Sequence, residues 1–316
     1  MGLPVTVYRW DDAGAPQLSS NPTPSEIIAV LKACLVTGYG AKAGLGWSVA
    51  FEDAGTNKIA FRNSTIEGSG GFVQYWSPGG VNTGGGVLYL RAASSMSALD
   101  NFTHPSYQFT HYSSLYHSQW VIIGTSAGAY IIPRYELKTT NYLSSSEYEI
   151  QYFVGDIDSN YANDVTRFTI CAGSFSTDTT SPNYSHALAY GGNSPSGRMY
   201  GVDGNSKANQ YNIDTATIAV QSPNSNYTLE SQAVNPVLLP AILRMSGTSY
   251  TDIDGLSCVY SSKNPYFRGV LPGLFALNMP GYGNATWPTE RVFNGAKYQL
   301  LRGYFNMMWV NIEEWY

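Results

Sequence analysis

The spacing of apolar residues predicts one amphipathic helix near the N-terminus, at Thr23–Gly38 (TPSEIIAVLKACLVTG). Its apolar residues recur every one to four positions and fall on a single face of a helix: Ile27, Ile28, Leu31 and Leu35. A stripe of this kind needs a partner surface. We therefore expect the strands around Trp47 and Phe61 to fold onto it.

Both ends of this helix carry capping signals. Thr23 is a suitable N-cap, Pro24 occupies the first helical position, and Glu26 stands where it can complete a capping box. Gly38 is placed to end the helix in a left-handed cap. No other stretch combines caps at both ends with a helical period.

Most of the remaining chain alternates with a period of two and is rich in β-branched and aromatic residues, which is typical of strands. The predicted strand segments are Val5–Trp10, Trp47–Phe51, Lys58–Arg62, Gly71–Trp76, Val87–Arg91, Trp120–Ile123, Ala129–Pro133, Tyr148–Val154, Arg167–Cys171, Arg268–Met279, Thr289–Asn306 and Met307–Tyr316. Trp47–Phe51 should pair with Lys58–Arg62 as a hairpin, and Gly71–Trp76 with Val87–Arg91. Ala92–Asn101 is interpreted as a short helix or a turn.

This pattern predicts a mainly β protein with a small α+β N-terminal module. Residues 1–91 contain the helix and two hairpins, and we interpret them as a module that docks onto a partner. Residues 92–316 should form an antiparallel, β-sandwich-like region. Whether that region is one domain or two is left open by the pattern.

Composition narrows the functional classes. Charged residues are only 12% of the chain, while 25 tyrosines and 32 glycines are present. The net charge of −5 and the absence of a basic block argue against nucleic-acid binding. No apolar run reaches about 18 residues, so no membrane partner is expected. Three widely spaced cysteines, without zinc spacing, fit a chain folded in a reducing cytoplasm.

One segment matches a catalytic motif. Gly124-Thr125-Ser126-Ala127-Gly128 has the G-x-S-x-G pattern of a serine-hydrolase nucleophile elbow, and it follows a predicted strand. The elbow requires a helix after the serine, but Ala129–Pro133 reads as a second strand. We therefore predict a hairpin turn here and no enzymatic activity, and we keep a serine esterase using Ser126 as a remote alternative.

Metal ligands and cofactors are not predicted either. His104, His111 and His117 are separated by seven and six residues, which suits neither a helical nor a strand pair of ligands. Asp156 and Asp158 resemble the start of a calcium loop, but the positions of the required glycine and glutamate are occupied by other residues. We expect a polar loop between strands.

Several segments together resemble a family of tailed-bacteriophage virion structural proteins. The likeness begins with VTVYRWDDAGAPQL, the helix, GYGAKAGLGW and TNKIAFR. It continues with WVIIGTSAGAYIIPR and YFVGDID in the middle of the chain, and with RGVLPGLF and RVFNGAKYQLLRG near the end. Val154 stands where the family pattern suggests Phe, and residues 173–235 carry no resemblance.

The resemblance implies a non-enzymatic virion component of the neck, collar, tail or baseplate, assembled in the host bacterial cytoplasm. Its partners would be other virion proteins and further copies of itself. No catalytic or cofactor-binding residues are implied. Chains rich in aromatic residues and poor in charge suit subunits that bury large surfaces against neighbours.

A receptor- or glycan-binding module of a tail fibre or spike is the alternative, with a host-surface glycan as partner. Aromatic side chains could either stack on sugars or fill interfaces between subunits. The predicted interface residues are Tyr75, Trp76, Tyr112, Tyr116, Trp120, Trp309 and Trp315.

Overall fold

A computed structural model provides the structure of this protein. It describes residues 2–111, 118–134, 139–142, 150–173, 183–184, 188, 196–205, 207–214, 227–246, 250–251, 257–258, 261–279, 281–303 and 308–316.

The predicted helix is present, and its capping box is formed. Helix α1 spans Pro24–Lys32 and continues as one π-helical turn over Ala33–Thr37. The hydroxyl of Thr23 accepts a hydrogen bond from the Glu26 N–H, and the Glu26 carboxylate accepts one from the Thr23 N–H at 2.7 Å. Gly38 ends the helix with φ 77° and ψ 175°, so φ is positive but the predicted left-handed cap is not formed. A Cβ there would lie 2.3 Å from the Lys42 carbonyl oxygen. The close approach, together with the positive φ, explains why glycine is needed.

Strands make up most of the rest of the described chain. The first fourteen are β1 (Leu3–Pro4), β2 (Thr6–Arg9), β3 (Ser48–Asp53), β4 (Lys58–Arg62), β5 (Phe72–Trp76), β6 (Leu88–Ala93), β7 (Ser95–Ala98), β8 (Asn101–Thr103), β9 (Gln108–His111), β10 (Gln119–Gly124), β11 (Gly128–Arg134), β12 (Tyr152–Asp156), β13 (Asp158–Ser159) and β14 (Phe168–Ala172). Short 3₁₀ turns lie at Ala54–Thr56 and Pro78–Gly80.

The second half of the described chain adds a one-turn helix and eleven strands. Helix α2 spans Leu229–Gln232. The strands are β15 (Asn183–Tyr184), β16 (Ser196–Met199), β17 (Asn209–Asp214), β18 (Leu238–Met245), β19 (Tyr250–Thr251), β20 (Ser257–Cys258), β21 (Phe267–Leu277), β22 (Glu290–Phe293), β23 (Ala296–Leu301), β24 (Met308–Asn311) and β25 (Glu314–Trp315).

Two large sheets organise these strands. One has the order β15-β9-β6-β5-β4-β3, and the other runs β2-β10-β11-β12-β14-β16-β17-β18-β21-β24-β23-β22 with β13 paired to β21. All pairings between the described strands are antiparallel except that of β15 with β9. The predicted hairpins β3–β4, β5–β6 and β10–β11 are confirmed by their registers.

The two sheets face each other across the first core, so the predicted mainly β, sandwich-like fold class is confirmed. Ile59 and Phe61 of the smaller sheet join Ile131 and Val154 of the larger sheet in one buried cluster. The four stripe residues of α1 lie in the same cluster, together with Trp47 and Phe61 as expected. The apolar face of the helix thus packs into the core that the two sheets share.

The larger sheet also curls around a second core. Side chains of β10 and β11 share a buried cluster with Leu274 on β21 and Val310 on β24, which are far along the strand order. The Tyr130 hydroxyl on β11 donates to the Pro272 carbonyl at 2.8 Å. Sheets of more than about ten strands usually curl in this way.

The interpretation of Ala92–Asn101 as a short helix or turn is wrong. These residues continue β6 and then form the antiparallel ribbon β7–β8, with Asp100 at its turn in a positive φ of 65°. Met96 and Phe102 pack on Phe72 and Ala93 of the smaller sheet. Tertiary packing therefore decides this segment, whose Ser- and Ala-rich sequence has no clear period.

The division at residue 91 stays a prediction. Backbone pairing crosses residue 91, since β2 pairs with β10 and β6 pairs with β9. The first and last strands, β1 and β25, also pair with each other. No helix in the described part of the chain is long and apolar enough to span a membrane.

Candidate functional site

The predicted interface aromatics lie in different parts of the molecule. Tyr75, Trp120, Trp309 and Trp315 are each at most 4% exposed and belong to the cores of this chain. Trp76 alone among the described members is half-buried at the surface. Tyr112 and Tyr116 lie outside the described residues. The interface itself stays a prediction, and Trp76 is the described member from which a surface site can be built.

The segment around Ser126 forms a hairpin turn. The Thr125 N–H donates to the Gly128 carbonyl at 2.8 Å, and β11 begins directly afterwards. Ser126 therefore does not sit at the start of a helix, where a nucleophile elbow places its serine. Its hydroxyl donates to the carboxylate of Glu67.

The two histidines in the described part of the chain contact hydroxyl groups, each in a different place. His104 Nδ1 lies 2.8 Å from the Ser94 hydroxyl, and His111 Nδ1 lies 2.9 Å from the hydroxyl of Tyr152. His117 and His186, the other two histidines of the chain, lie outside the described residues.

His111 belongs to a buried polar chain between the two sheets. The Tyr152 hydroxyl, which contacts His111, also lies 3.1 Å from the Tyr75 hydroxyl. Burial raises the pKa of Tyr152 well above its usual value, and that of Tyr75 as well. Paired hydroxyls of this kind satisfy polar groups inside a core and fix the sheets relative to each other.

The acidic residues at the end of β12 and in the loop that follows it make structural contacts. The Asp156 carboxylate accepts hydrogen bonds from the Ser69 N–H and hydroxyl at 2.6 and 2.5 Å, and Arg167 lies 3.3 Å away. Burial raises the pKa of Asp156, against the opposing effect of these partners. Within the described residues there is no group of three or more His, Cys, Asp or Glu side chains that could hold a metal ion.

A second acidic residue of this loop is held in a fully buried ion pair. Arg268 donates from Nε and Nη2 to the two carboxylate oxygens of Asp164 at 2.7 and 2.6 Å, and neither side chain is exposed. The Asp164 partnership outweighs burial and raises the pKa of Arg268. This pair ties the start of β21 to the loop and has no access to solvent.

The surface site is an open groove of about 420 Å³ beside Trp76. Its floor carries Trp76 and Lys58, which are directly opposite each other on β5 and β4. Its walls are the two 3₁₀ turns, Ala54–Thr56 and Pro78–Gly80. The volume falls in the range of about 300–1,000 Å³ that is usual for small-molecule sites.

The groove walls are fixed by hydrogen bonds. The Asn57 side-chain amide donates to the Gly80 carbonyl at 3.0 Å, and the Ser77 N–H donates to the Asn57 carbonyl at 3.1 Å. Asp53 accepts from the Gly55 N–H and from the Thr56 hydroxyl at 3.1 and 2.8 Å. The two turns therefore hold one shape before any ligand arrives.

Two residues that contact the groove residues were not found from the sequence. Tyr89 lies opposite Trp76 on β6, with ring centroids 5.8 Å apart at an interplanar angle of 78°. Asp100, at the turn of the β7–β8 ribbon, accepts from Lys58 Nζ at 2.6 Å. The alternation in VLYLR indicates that Tyr89 and Arg91 share one face, but the match of Tyr89 with Trp76 depends on the register.

No protein-family model matches the chain, and no curated protein sequence matches it.

Proposed function

We propose that this protein is a non-enzymatic structural subunit of a tailed-bacteriophage particle, in its neck, collar, tail or baseplate. The resemblance of the segments quoted above supports the assignment. The low charge and the many tyrosines support a chain that buries surface against neighbours. Its partners would be further copies of itself and other virion proteins.

The proposed association of subunits is supported by a difference between the two edges of the larger sheet. At the β2 edge, side chains occupy the outward backbone groups. Lys42 Nζ donates to the Val7 carbonyl at 2.7 Å, and the Arg9 N–H donates to Asp12 and Tyr39 at 2.7 and 3.1 Å. This edge is blocked against another strand.

The β22 edge is arranged differently. The Leu300 N–H donates to the Thr289 carbonyl, and the register pairs Val292 with Lys297. This pattern directs the Val292 N–H and C=O away from β23. No described strand lies on that side, and the Val292 side chain is 66% exposed.

An open edge at one end of a sheet and a blocked edge at the other favour the addition of a strand from a neighbouring subunit at β22. Main-chain hydrogen bonds then provide affinity, as in other cases of strand addition. The Arg291 guanidinium donates to the Glu290 carbonyl at 2.8 Å, so the pairing would be centred on Val292.

The assignment is tested on particles and on the isolated chain. Purified phage particles from a host carrying the gene are analysed by mass spectrometry and cryo-electron microscopy, and the chain should occupy repeated positions in the map. Absence of the chain from particles would refute the assignment.

Val292→Lys tests the edge, because a lysine on an edge strand opposes strand addition. The variant should lower the mass measured by light scattering and reduce incorporation into particles. Ile66→Lys is the matched control, since Ile66 is 93% exposed in a loop away from β22. Equal behaviour of the two variants would contradict the role of β22.

A further inference from the structure

The groove beside Trp76 lies on the outer face of the smaller sheet. Ile59, Tyr75 and Leu90 are fully buried and point to the sandwich core. Their strand neighbours Lys58 and Trp76 therefore point outward, because successive side chains alternate between the faces of a strand.

The β7–β8 ribbon covers only part of this outer face. Met96 packs over Phe72, and Asp100 reaches as far as Gln74 and Lys58. Beyond Asp100, Trp76 and Tyr89 are half-buried; Trp76 lines the groove, and the Tyr89 ring packs against it. The sheet thus presents an aromatic pair next to an ion pair in a concave setting.

We propose that this groove binds a neutral hexose unit of an oligosaccharide. The indole ring of Trp76 offers a flat apolar surface for the C–H face of a pyranose ring, and its orientation is fixed by the Tyr89 ring. Hydroxyl groups of the sugar need donors and acceptors around that surface. Lys58 supplies ammonium donors in addition to the one used by Asp100, and Asp53 supplies carboxylate oxygens.

The charges favour a neutral sugar. Two carboxylates, Asp53 and Asp100, lie beside one ammonium group, that of Lys58, so the local charge is negative. An anionic saccharide or a phosphate would be repelled, whereas hydroxyl groups can bond to both signs of charge. The fixed walls reduce the entropy lost on binding.

The alternative ligand for the pair of Trp76 and Tyr89 is a protein partner, which would need a surface of a different shape. Interfaces between subunits are built on flat patches with a large buried area, whereas this site is a groove walled by two turns with hydrogen-bonding groups at its rim. The concave shape therefore favours a small polar ligand with one apolar face.

The test is saturation-transfer difference NMR on the full chain. The probes are methyl glucoside, methyl galactoside, methyl mannoside and maltotriose, with methyl glucuronide as the charged comparator. We expect saturation of the ring C–H protons of at least one neutral probe, and a weaker response from the glucuronide. No response from any neutral probe would overturn the proposal.

Trp76→Ala should weaken the binding of the responding probe about tenfold or more, as expected for the removal of an aromatic anchor. Tyr227→Ala is the matched control, because Tyr227 is an exposed aromatic residue, 56% accessible, outside the groove. The proposal would be overturned if Trp76→Ala bound the probe as tightly as the wild type. It would also be overturned if the wild type gave no sugar response while Trp76→Ala changed the oligomeric mass.

If Trp76→Ala does not fold, Lys58→Gln tests whether the groove binds the neutral probe. It removes an exposed ion pair, which contributes little to stability, and it should weaken the neutral probe several-fold by removing a charged donor. Unchanged binding by Lys58→Gln would then count against the site. Because these assays use the isolated chain, their outcome is separate from that of the particle experiments.

Discussion

The buried pair of Arg268 and Asp164 gives the sharpest prediction about stability. In the variant Arg268→Met, the Asp164 carboxylate stays buried but loses both guanidinium donors. The Thr166 hydroxyl and the Tyr200 carbonyl lose their Arg268 contacts as well. Breaking a buried pair by removing one partner costs about 3–5 kcal/mol, because an uncompensated charge is left inside.

The size of this effect can be compared within the same protein. Arg244 and Asp214 form an ion pair whose side chains are 32% and 51% exposed, so Arg244→Met should cost less than about 1 kcal/mol. At about 2.1 cal/mol/K per residue, a loss of about 4 kcal/mol in a chain of 316 residues lowers Tm by about 6 °C. The Arg244 variant should shift it by less than about 2 °C.

Thermal unfolding followed by circular dichroism measures both variants. The double variant Arg268→Met/Asp164→Leu is the decisive control, since replacing a buried pair by apolar residues is often neutral or stabilising. It should recover most of the stability that Arg268→Met loses. Equal shifts for Arg268→Met and Arg244→Met, or no recovery in the double variant, would refute the reasoning.

Three other predictions concern a carboxylate, a glycine and a hydroxyl. Hydrogen bonds in the capping box outweigh burial and hold the pKa of Glu26 below its usual 4.5. This stabilisation should therefore be present above pH 4.5 and be lost as the pH falls through the lowered pKa. The free energy of unfolding measured between about pH 5 and about pH 2 should show this loss in the wild type and should not show it in Glu26→Gln. Gly155→Ala should destabilise far more than Gly295→Ala in urea unfolding. Both glycines have positive φ, but a Cβ at Gly155 would lie 2.2 Å from the backbone of β11, whereas one at Gly295 would meet nothing within 4 Å. Tyr152→Phe should cost about 1–3 kcal/mol of unfolding free energy, more than Tyr75→Phe, because it removes two buried hydrogen bonds, with the Tyr75 hydroxyl and with His111, whereas Tyr75→Phe removes one.

Local signals were sufficient for the helix and for the β3–β4, β5–β6 and β10–β11 hairpins, whereas the β22–β23 hairpin lay in a segment predicted as one strand, Thr289–Asn306. The capping residues of α1 act within four positions of one another, and the β10–β11 turn is marked by Gly124 and Gly128. Both kinds of element are decided by nearby residues, so one sequence is enough to predict them.

The pairing of strands that are distant in sequence could not be predicted from these local signals. The larger sheet joins β2 to β10 and β18 to β21, and the sequence carries no mark of which strands become neighbours. The β7–β8 ribbon was missed for a related reason, since Met96 and Phe102 become strand residues through packing on Phe72. Their own sequence has too little alternation to indicate a strand.

Tyr75 and Trp76 were both predicted as interface residues, but neighbours on a strand point to opposite faces of the sheet. Tyr75 lies in the core with Tyr152, and Trp76 meets Tyr89 across the sheet. Only the register of β5 with β6 brings these two rings together.

Three of the segments that carry the phage resemblance meet where the larger sheet curls around the second core. Gly155 of YFVGDID faces Gly128 of WVIIGTSAGAYIIPR, Asp158 pairs with Val270 of RGVLPGLF, and Tyr130 donates to Pro272. The close approach of Gly155 and Gly128 leaves no room for side chains. Such residues are constrained by packing, so the motifs describe how the sheet is built and place no chemistry at the surface. The segment RVFNGAKYQLLRG lies apart from these three, because it forms the β22–β23 hairpin with Val292 at its open edge. If the resemblance reflects a shared assembly, this hairpin is where it should act, which is why Val292→Lys tests the function more directly than any change in the central motifs.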